Sequence, residues 1–178
     1  MKKSIISFVA PGTFEENRFE KLHNISFESP EAGSIAVADE ICELIRSKQK
    51  KNEMCVLGLA TGSSPISVYK KLIESHKKKK LSFRNVITFN LDEYFGLEKI
   101  DINSYNQFMH DNLFNHIDIL PKNIHIPKGK LQSSQVINYC KDYEEKIYKA
   151  GGIDLQILGI GRTGHIGFNE PGSNINSQ

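Results

Sequence analysis

The amino-acid sequence predicts an α/β fold, a Rossmann-like open parallel sheet with helices on both faces. Short apolar segments alternate along the chain with amphipathic segments of about 10–16 residues, which is typical of βαβ units. The apolar segments are continuous, as expected of strands that are buried on both faces of a parallel sheet. Polar segments follow three of these strands, at the edge where such sheets bind ligands.

The ordered pattern begins at residue 29. Residues 29–31, Ser-Pro-Glu, are typical of a helix N-cap, a proline at the first helical position and an acidic first turn. Apolar residues then recur at helical spacing over Ile35–Ile45, so we expect the first helix here. Residues 1–28 are irregular, and we expect an N-terminal extension with a short strand near Ile25–Glu28.

The remaining elements continue the alternation. We expect strands over Met54–Ala60, Val86–Phe89 and Leu155–Ile160, with a further short apolar piece over Ile124–Pro127. We expect helices over Ile66–His76, Ser104–His116 and Gln135–Ala150. The polar, glycine-rich segment Gly161–Pro171 is predicted to be a loop.

The composition favours a soluble globular protein rather than a disordered one. Hydrophobic residues make up 39% of the 178 residues and charged residues 25%, and the formal net charge is +2. This charge gives no argument for nucleic acid, and no stretch reaches the roughly 20 apolar residues of a membrane span. Cys42, Cys55 and Cys140 lack metal or disulfide-framework spacing, so we expect no metal site and a reducing, cytoplasmic location. The first apolar run is broken at Pro11, which disfavours a signal peptide.

The first candidate loop, Thr61–Pro65, has the form of an anion site. Gly62 allows a tight turn, Ser64 is a candidate helix cap, and Pro65 suits the first helical position. Backbone N–H groups at the helix N-terminus and the loop hydroxyl groups can then donate to an anion. An ordinary capped turn explains these residues equally well. The glycine patterns of nucleotide-binding loops do not occur, so a sugar phosphate is a better candidate than a nucleotide.

The second candidate loop places two acidic residues directly after a strand. Asp92 and Glu93 follow the apolar segment that begins at Val86. A carboxylate at the carboxyl end of a strand is a candidate general base. A loop acid or a helix cap is the alternative explanation.

The third candidate loop combines a histidine, a carboxylate and several glycines. His165 and Glu170 flank a short apolar turn, and glycines occupy positions 159, 161, 164 and 167. This glycine density indicates close backbone approach to a ligand or positive φ angles. A histidine with a nearby carboxylate can act as a proton shuttle. A structural glycine loop with a surface histidine is the alternative.

At these loops the sequence resembles the glucosamine-6-phosphate deaminase family, also called glucosamine-6-phosphate isomerases. The matching stretches are LGLATGSSP (57–65), VITFNLDEY (86–94), SYNQFM (104–109) and LGIGRTGHIGFNEP (158–171), and the resemblance covers about residues 30–178. It implies conversion of D-glucosamine 6-phosphate and water to D-fructose 6-phosphate and ammonia, without a cofactor. The same superfamily includes 6-phosphogluconolactonases, which share the fold and the phosphate loop.

The resemblance also implies roles for individual residues. Asp92 matches the base that moves a proton between C2 and C1 in an enolamine-type isomerisation. His165 matches the residue that helps to open the sugar ring, and Glu170 matches the acid that supports this histidine. The predicted substrate-binding residues are Thr61, Gly62, Ser63 and Ser64, which match the phosphate loop, together with Glu93 and Gly164.

Thr163 departs from the pattern of well-studied family members. They carry an aspartate at this position, two residues before the histidine that matches His165, although a similar motif with threonine occurs in one bacterial branch. Each pKa unit of lost support for the imidazolium corresponds to about 1.4 kcal/mol. We therefore count Thr163 among the candidate catalytic residues, with weaker charge stabilisation than an aspartate would give.

The resemblance implies a longer domain than this chain contains. Residues 29–178 correspond to the N-terminal two-thirds of a glucosamine-6-phosphate deaminase domain, so we expect a sheet that is incomplete at the C-terminus and little activity from the chain alone. A lactonase-like or other sugar-phosphate enzyme on the same fold remains an alternative, as does a non-catalytic sugar-phosphate-binding module. The family includes monomers and hexamers, which leaves a homo-oligomer open.

Overall fold

Helices and strands alternate over residues 24–174, the residues that this computed structural model describes. The helices are α1 (Pro30–Lys50), α2 (Ser63–Lys79), α3 (Tyr105–Asn112) and α4 (Val136–Lys149). The strands are β1 (Cys55–Leu59), β2 (Val86–Asn90), β3 (Ile124–His125) and β4 (Leu155–Gln156). Short 3-10 helices at Phe114–His116, Pro121–Asn123 and Ser133–Gln135 complete the connection from α3 to α4.

The four strands form one parallel sheet in the order β3-β2-β1-β4. Leu59 at the end of β1 lies opposite Asn90 at the end of β2, and Gly58 lies opposite Gln156 of β4. The carboxyl ends of these three strands are therefore neighbours at one edge of the sheet. This parallel arrangement confirms the predicted fold class and brings the three candidate loops to the same edge.

Helix α1 forms as the sequence predicts. The Ser29 hydroxyl oxygen accepts a hydrogen bond of 3.1 Å from the Ala32 N–H, and Pro30 occupies the first helical position. A serine in this place satisfies one of the N–H groups that have no partner within the helix. The residues of α1 that are buried against the core are Ala38, Ile41, Cys42 and Ile45.

Helices cover both faces of the sheet, as predicted. On one face, a core joins β1 residues such as Leu57 to the buried residues of α1 and to Tyr69 of α2. On the other face, Phe89 of β2 contacts Tyr143 of α4 edge to face, with ring centroids 5.7 Å apart. The Tyr143 hydroxyl shares its one proton between the backbone oxygens of Asn90 and His125, which lie 2.9 and 3.0 Å away. This bond pair satisfies the buried hydroxyl and ties α4 to the sheet.

The prediction of a strand near Ile25–Glu28 is wrong. Residues 24–27 have no regular secondary structure, and a bend follows at residues 28–29. The Phe27 ring instead packs against α1 at Gly33, so closely that a Cβ added to this glycine would lie 3.3 Å from the ring. Most of the predicted extension, residues 1–23, lies outside the described residues.

The last strand is shorter than the predicted segment Leu155–Ile160. The Ile157 N–H still donates to the Gly58 carbonyl at 2.9 Å, but Leu158 and Ile160 are 51% and 79% exposed. Strand β1 ends at Leu59, so residues beyond Ile157 have no strand opposite them and leave the sheet. Within residues 24–174, no helix is both long and apolar enough to cross a membrane.

Candidate functional site

Three loops meet at the carboxyl edge of the sheet. The segment after β1, residues 61–64, includes the first two residues of α2, and we call it the phosphate loop after the role that the family resemblance implies. The acidic loop, residues 91–94, follows β2, and the glycine-rich loop, residues 161–171, follows β4. Because β1 lies between β2 and β4, the phosphate loop is flanked by the other two. The sheet topology thus brings together the segments in which the sequence placed its site residues.

The phosphate loop leads directly into α2, which starts earlier than predicted. The helix begins at Ser63, and Gly62 is its N-cap with φ 105° and ψ 178°. The expectation that Ser64 caps the helix with Pro65 at the first position is therefore wrong. Gly62 takes the cap position because its positive φ is accessible to glycine without strain. A Cβ added there would meet no atom within 4 Å, so the space above Gly62 is open.

Asp92 is the half-buried carboxylate of the acidic loop. Burial raises the pKa of its carboxyl group above the ordinary value, and the negative charge of the adjacent Glu93 raises this pKa further. A Cβ added to Gly167 would lie 3.4 Å from the Asp92 Oδ2 atom. The glycine-rich loop therefore passes directly against Asp92. The raised pKa makes the Asp92 carboxylate a stronger base than an ordinary aspartate.

Glu93 faces the N-terminus of α3. Its Oε1 atom accepts from the backbone N–H groups of Tyr94 and Tyr105, each at 2.9 Å. Its Oε2 atom accepts from the Ser104 hydroxyl at 2.7 Å and from the Asn106 N–H at 2.9 Å. A carboxylate is stabilised in this place because the first N–H groups of a helix carry partial positive charge. The bonds favour a capping role for Glu93, and its predicted contact with substrate stays a prediction.

Thr163, His165 and Glu170 form one hydrogen-bonded cluster in the glycine-rich loop. The Thr163 hydroxyl donates to Glu170 Oε2 at 2.9 Å and lies 2.9 Å from His165 Nδ1. His165 Nδ1 is also 3.3 Å from Glu170 Oε1. A hydroxyl group that donates its proton to Glu170 can only accept from His165. This arrangement places the ring proton on Nδ1 and leaves Nε2 free to accept a proton.

Gly161 provides the space for the His165 ring. A Cβ at Gly161 would overlap the Cε1, Nε2 and Nδ1 atoms of that ring. The Gly161 N–H also donates to the His165 carbonyl oxygen at 2.8 Å, which closes the loop on itself. Gly164, one of the predicted substrate-binding residues, has φ 83° and is exposed. Gly164 and Gly167 confirm the predicted positive φ angles, and Gly161 serves close packing against His165, whereas close approach of this backbone to a ligand stays a prediction.

An aromatic cluster that we did not single out from the sequence joins the loops. The ring centroids of Tyr94 and Tyr105 are 4.8 Å apart, and those of Tyr94 and Phe168 are 5.5 Å apart. Tyr105 and Phe168 stack at 6.2 Å with an interplanar angle of 23°. Tyr105 belongs to the stretch SYNQFM, which matched the family but received no role. That match was the available signal for the cluster.

Comparisons with known proteins identify the family of this chain. A family model described as glucosamine-6-phosphate isomerases/6-phosphogluconolactonase matches residues 28–168. A glucosamine-6-phosphate deaminase of a Thermoanaerobacter species is 51% identical over 142 residues, which are 80% of this chain and 55% of that protein. The structure of a monomeric glucosamine-6-phosphate deaminase matches with a TM-score of 0.79 and 42% identity, over 86% of this chain and 61% of that one.

Lactonases match the fold at lower identity. The 6-phosphogluconolactonase from Plasmodium vivax matches with a TM-score of 0.65 and 28% identity, over 80% of this chain and 50% of that one. The chain spans about half the length of curated deaminases that it matches, 55% in the Thermoanaerobacter protein and 56% in one from Bacillus subtilis. The comparisons therefore concern only about half of each of those two proteins.

Proposed function

Because the chain belongs to the glucosamine-6-phosphate isomerase/6-phosphogluconolactonase family, we propose that its protein converts D-glucosamine 6-phosphate and water to D-fructose 6-phosphate and ammonia. One observation carries the proposal. Asp92, a carboxylate with a raised pKa, lies against the same loop that holds the Thr163–His165–Glu170 cluster. A base and a separate proton shuttle are what ring opening followed by isomerisation needs.

The phosphate loop is the proposed site for the 6-phosphate group. Helix α2 starts at Ser63, so its first N–H groups and its positive dipole end face the loop. Thr61, Ser63 and Ser64 add hydroxyl donors, and Gly62 leaves the approach open because nothing lies within 4 Å of an added Cβ. Gly164 and the residues around it would contact the sugar from the neighbouring loop.

Ring opening is proposed for the His165 cluster. Opening a pyranose requires that the proton of the C1 hydroxyl group is removed and that the ring oxygen gains one. With its proton on Nδ1, His165 can accept at Nε2, while Glu170 and Thr163 hold the ring in place. Thr163 contributes orientation without a charge, so Glu170 supplies the negative charge that stabilises the imidazolium.

Isomerisation is proposed for Asp92. In the open-chain substrate, the carboxylate removes the proton from C2, and the resulting enolamine is protonated at C1. Water then hydrolyses the C2 imine and releases ammonia. The raised pKa of Asp92 favours proton abstraction, since a stronger base lowers the barrier to removing a proton from carbon. Glu93 supports the step by raising this pKa and by fixing the loop on α3.

Three outcomes of one experiment separate the candidate functions. The full-length encoded protein would be given glucosamine 6-phosphate and 6-phosphogluconolactone, with ammonia, fructose 6-phosphate and free acid as products to be measured. Ammonia and fructose 6-phosphate in equal amounts are the expected result. Lactone hydrolysis without ammonia would favour a lactonase, and binding of fructose 6-phosphate with no turnover would favour a non-catalytic binding module.

Location and partners follow from the same proposal. Within residues 24–174, Cys42, Cys55 and Cys140 form no disulfide, and the first two are buried in the core, which supports the proposed reducing cytoplasmic location. The proposed partner is a small sugar phosphate. A homo-oligomer, and a domain that extends beyond residues 29–178, stay predictions.

A further inference from the structure

We propose that Tyr105 is a positioning residue that joins the phosphate loop, the acidic loop and the glycine-rich loop into one site. Its hydroxyl group orients the phosphate loop, and its ring seats the glycine-rich loop over Asp92. This inference rests on the proposed function for its kinetic readouts. The amide hydrogen exchange that also tests it does not depend on that function.

The backbone of Tyr105 is fixed at the acidic loop. Tyr105 is the first residue of α3, and its N–H donates to Glu93 Oε1 at 2.9 Å. The preceding Ser104 is buried and holds the other carboxylate oxygen through its hydroxyl group at 2.7 Å. Because Glu93 directly follows Asp92, the hydrogen bonds that tie Glu93 to the start of α3 also fix the backbone next to the candidate base.

The hydroxyl group of Tyr105 lies between the acidic loop and the phosphate loop. It donates to the Tyr94 hydroxyl oxygen at 3.1 Å and lies near enough to the side chain of Thr61 for that side chain to lower the pKa of Tyr105. Burial, followed by the bond to Tyr94, raises the pKa of Tyr105 to about 12. The group therefore stays protonated at neutral pH and can act as a neutral bridge between Thr61 and the acidic loop.

The ring of Tyr105 contacts the third loop. It stacks on Phe168 with centroids 6.2 Å apart, and Tyr94 packs against both rings. Phe168 is adjacent to Gly167, the residue that lies against Asp92 Oδ2. Since Phe168 itself is 55% exposed, these ring contacts hold a surface loop in place rather than fill a core.

The two kinds of contact can be separated by substitution. Tyr105→Phe removes the hydroxyl group, and with it the contacts with Thr61 and Tyr94, but keeps the ring, so the glycine-rich loop should stay in place. Tyr105→Leu removes both and should also release the glycine-rich loop. Tyr148, which is 80% exposed on α4, offers matched controls in Tyr148→Phe and Tyr148→Leu.

The test is made in the full-length encoded protein, with KM and kcat for ammonia release and with amide hydrogen exchange over residues 161–171. For Tyr105→Phe we expect KM to rise about tenfold, the effect of one lost hydrogen bond, with kcat and exchange close to the parent values. For Tyr105→Leu we expect kcat to fall by about 10²-fold, as for a catalytic group displaced by about 1 Å, and exchange over 161–171 to accelerate. The Tyr148 variants should change none of these quantities.

Two results would overturn the proposal. One is a Tyr105→Leu variant with parent-like exchange over residues 161–171. The other is a Tyr105→Phe variant in which KM and kcat both match the Tyr148→Phe control. If Tyr105→Leu does not fold, Phe168→Leu tests the ring contact from the other side, and the same loss of kcat and protection is expected. A parent protein that releases no ammonia would contradict the proposed function, whereas the exchange experiment would still decide the role of Tyr105.

Discussion

Replacing Gly161 by alanine should displace the candidate shuttle histidine without disturbing the rest of the fold. The new Cβ would overlap the Cε1, Nε2 and Nδ1 atoms of His165. Gly161 is not among the glycines with positive φ, so its backbone accepts alanine and the side-chain overlap is the whole effect. The His165 ring must therefore rotate or the loop must shift.

The size of the effect can be worked out from the contacts. Turning the His165 ring about 30° off its rotamer costs about 0.5–1.5 kcal/mol. A shift of about 1 Å also breaks the 2.9 Å contact with Thr163, whose net value is about 1 kcal/mol. Together the two contributions should lower the free energy of unfolding by about 1.5–2.5 kcal/mol. Turnover is more sensitive, because a catalytic group misplaced by about 1 Å costs about 10²-fold.

The assay compares kcat for ammonia release in Gly161→Ala and in Gly159→Ala. A Cβ at Gly159 would meet no atom within 4 Å, so this second variant makes the same chemical change in the same segment without the clash. We expect Gly159→Ala to keep parent activity and Gly161→Ala to lose about 10²-fold. Equal activity in the two variants would refute the argument that the His165 ring position controls the reaction.

Two further predictions concern stability. The folded state raises the pKa of Asp92, so ionisation of this group opposes folding, and stability is lost as pH rises through the folded pKa. Asp92→Asn should therefore melt at a higher temperature than the parent at pH 7. The difference in melting temperature should shrink as the pH falls toward the ordinary pKa range of a carboxyl group, and a difference that does not depend on pH would contradict this prediction. Ser29→Ala removes the 3.1 Å bond to the Ala32 N–H and should lower the free energy of unfolding by about 1 kcal/mol in urea. Ser34→Ala, within the same helix, is the control, and an equal loss there would show that the cap contributes nothing.

The placement of the three candidate loops at one edge of the sheet could be predicted from sequence because it depends on simple patterns. Continuous apolar runs mark strands of a parallel sheet, and ligands bind at the carboxyl ends of such strands. The structure confirms that the loops at 61–64, 91–94 and 161–171 follow neighbouring strands. The sequence could not show that β1 lies between β2 and β4, since strand order is set by how the connecting helices pack.

The side-chain partners could not be predicted because they depend on backbone geometry at single residues. Gly62 caps α2 with a positive φ, and the sequence alone favoured Ser64 for that place. For Glu93 the sequence left substrate contact and a helix cap open, and it could not show that the two carboxylate oxygens accept four hydrogen bonds around the start of α3. Tyr105 carried no signal beyond family resemblance, because a stacking contact with Phe168 spans 63 residues of chain and leaves no periodic pattern.

The most direct test of the account is ammonia release from glucosamine 6-phosphate by the full-length encoded protein and by its Asp92→Asn variant. Asp111→Asn is the matched control, since Asp111 is an exposed acid of α3 that is bonded to Gln107 at 2.8 Å. We predict that the parent and Asp111→Asn release ammonia and fructose 6-phosphate equally. Asp92→Asn should lose about 10²–10⁴-fold in rate while it still binds fructose 6-phosphate. Parent-like ammonia release by Asp92→Asn would contradict the assignment of Asp92 as the base.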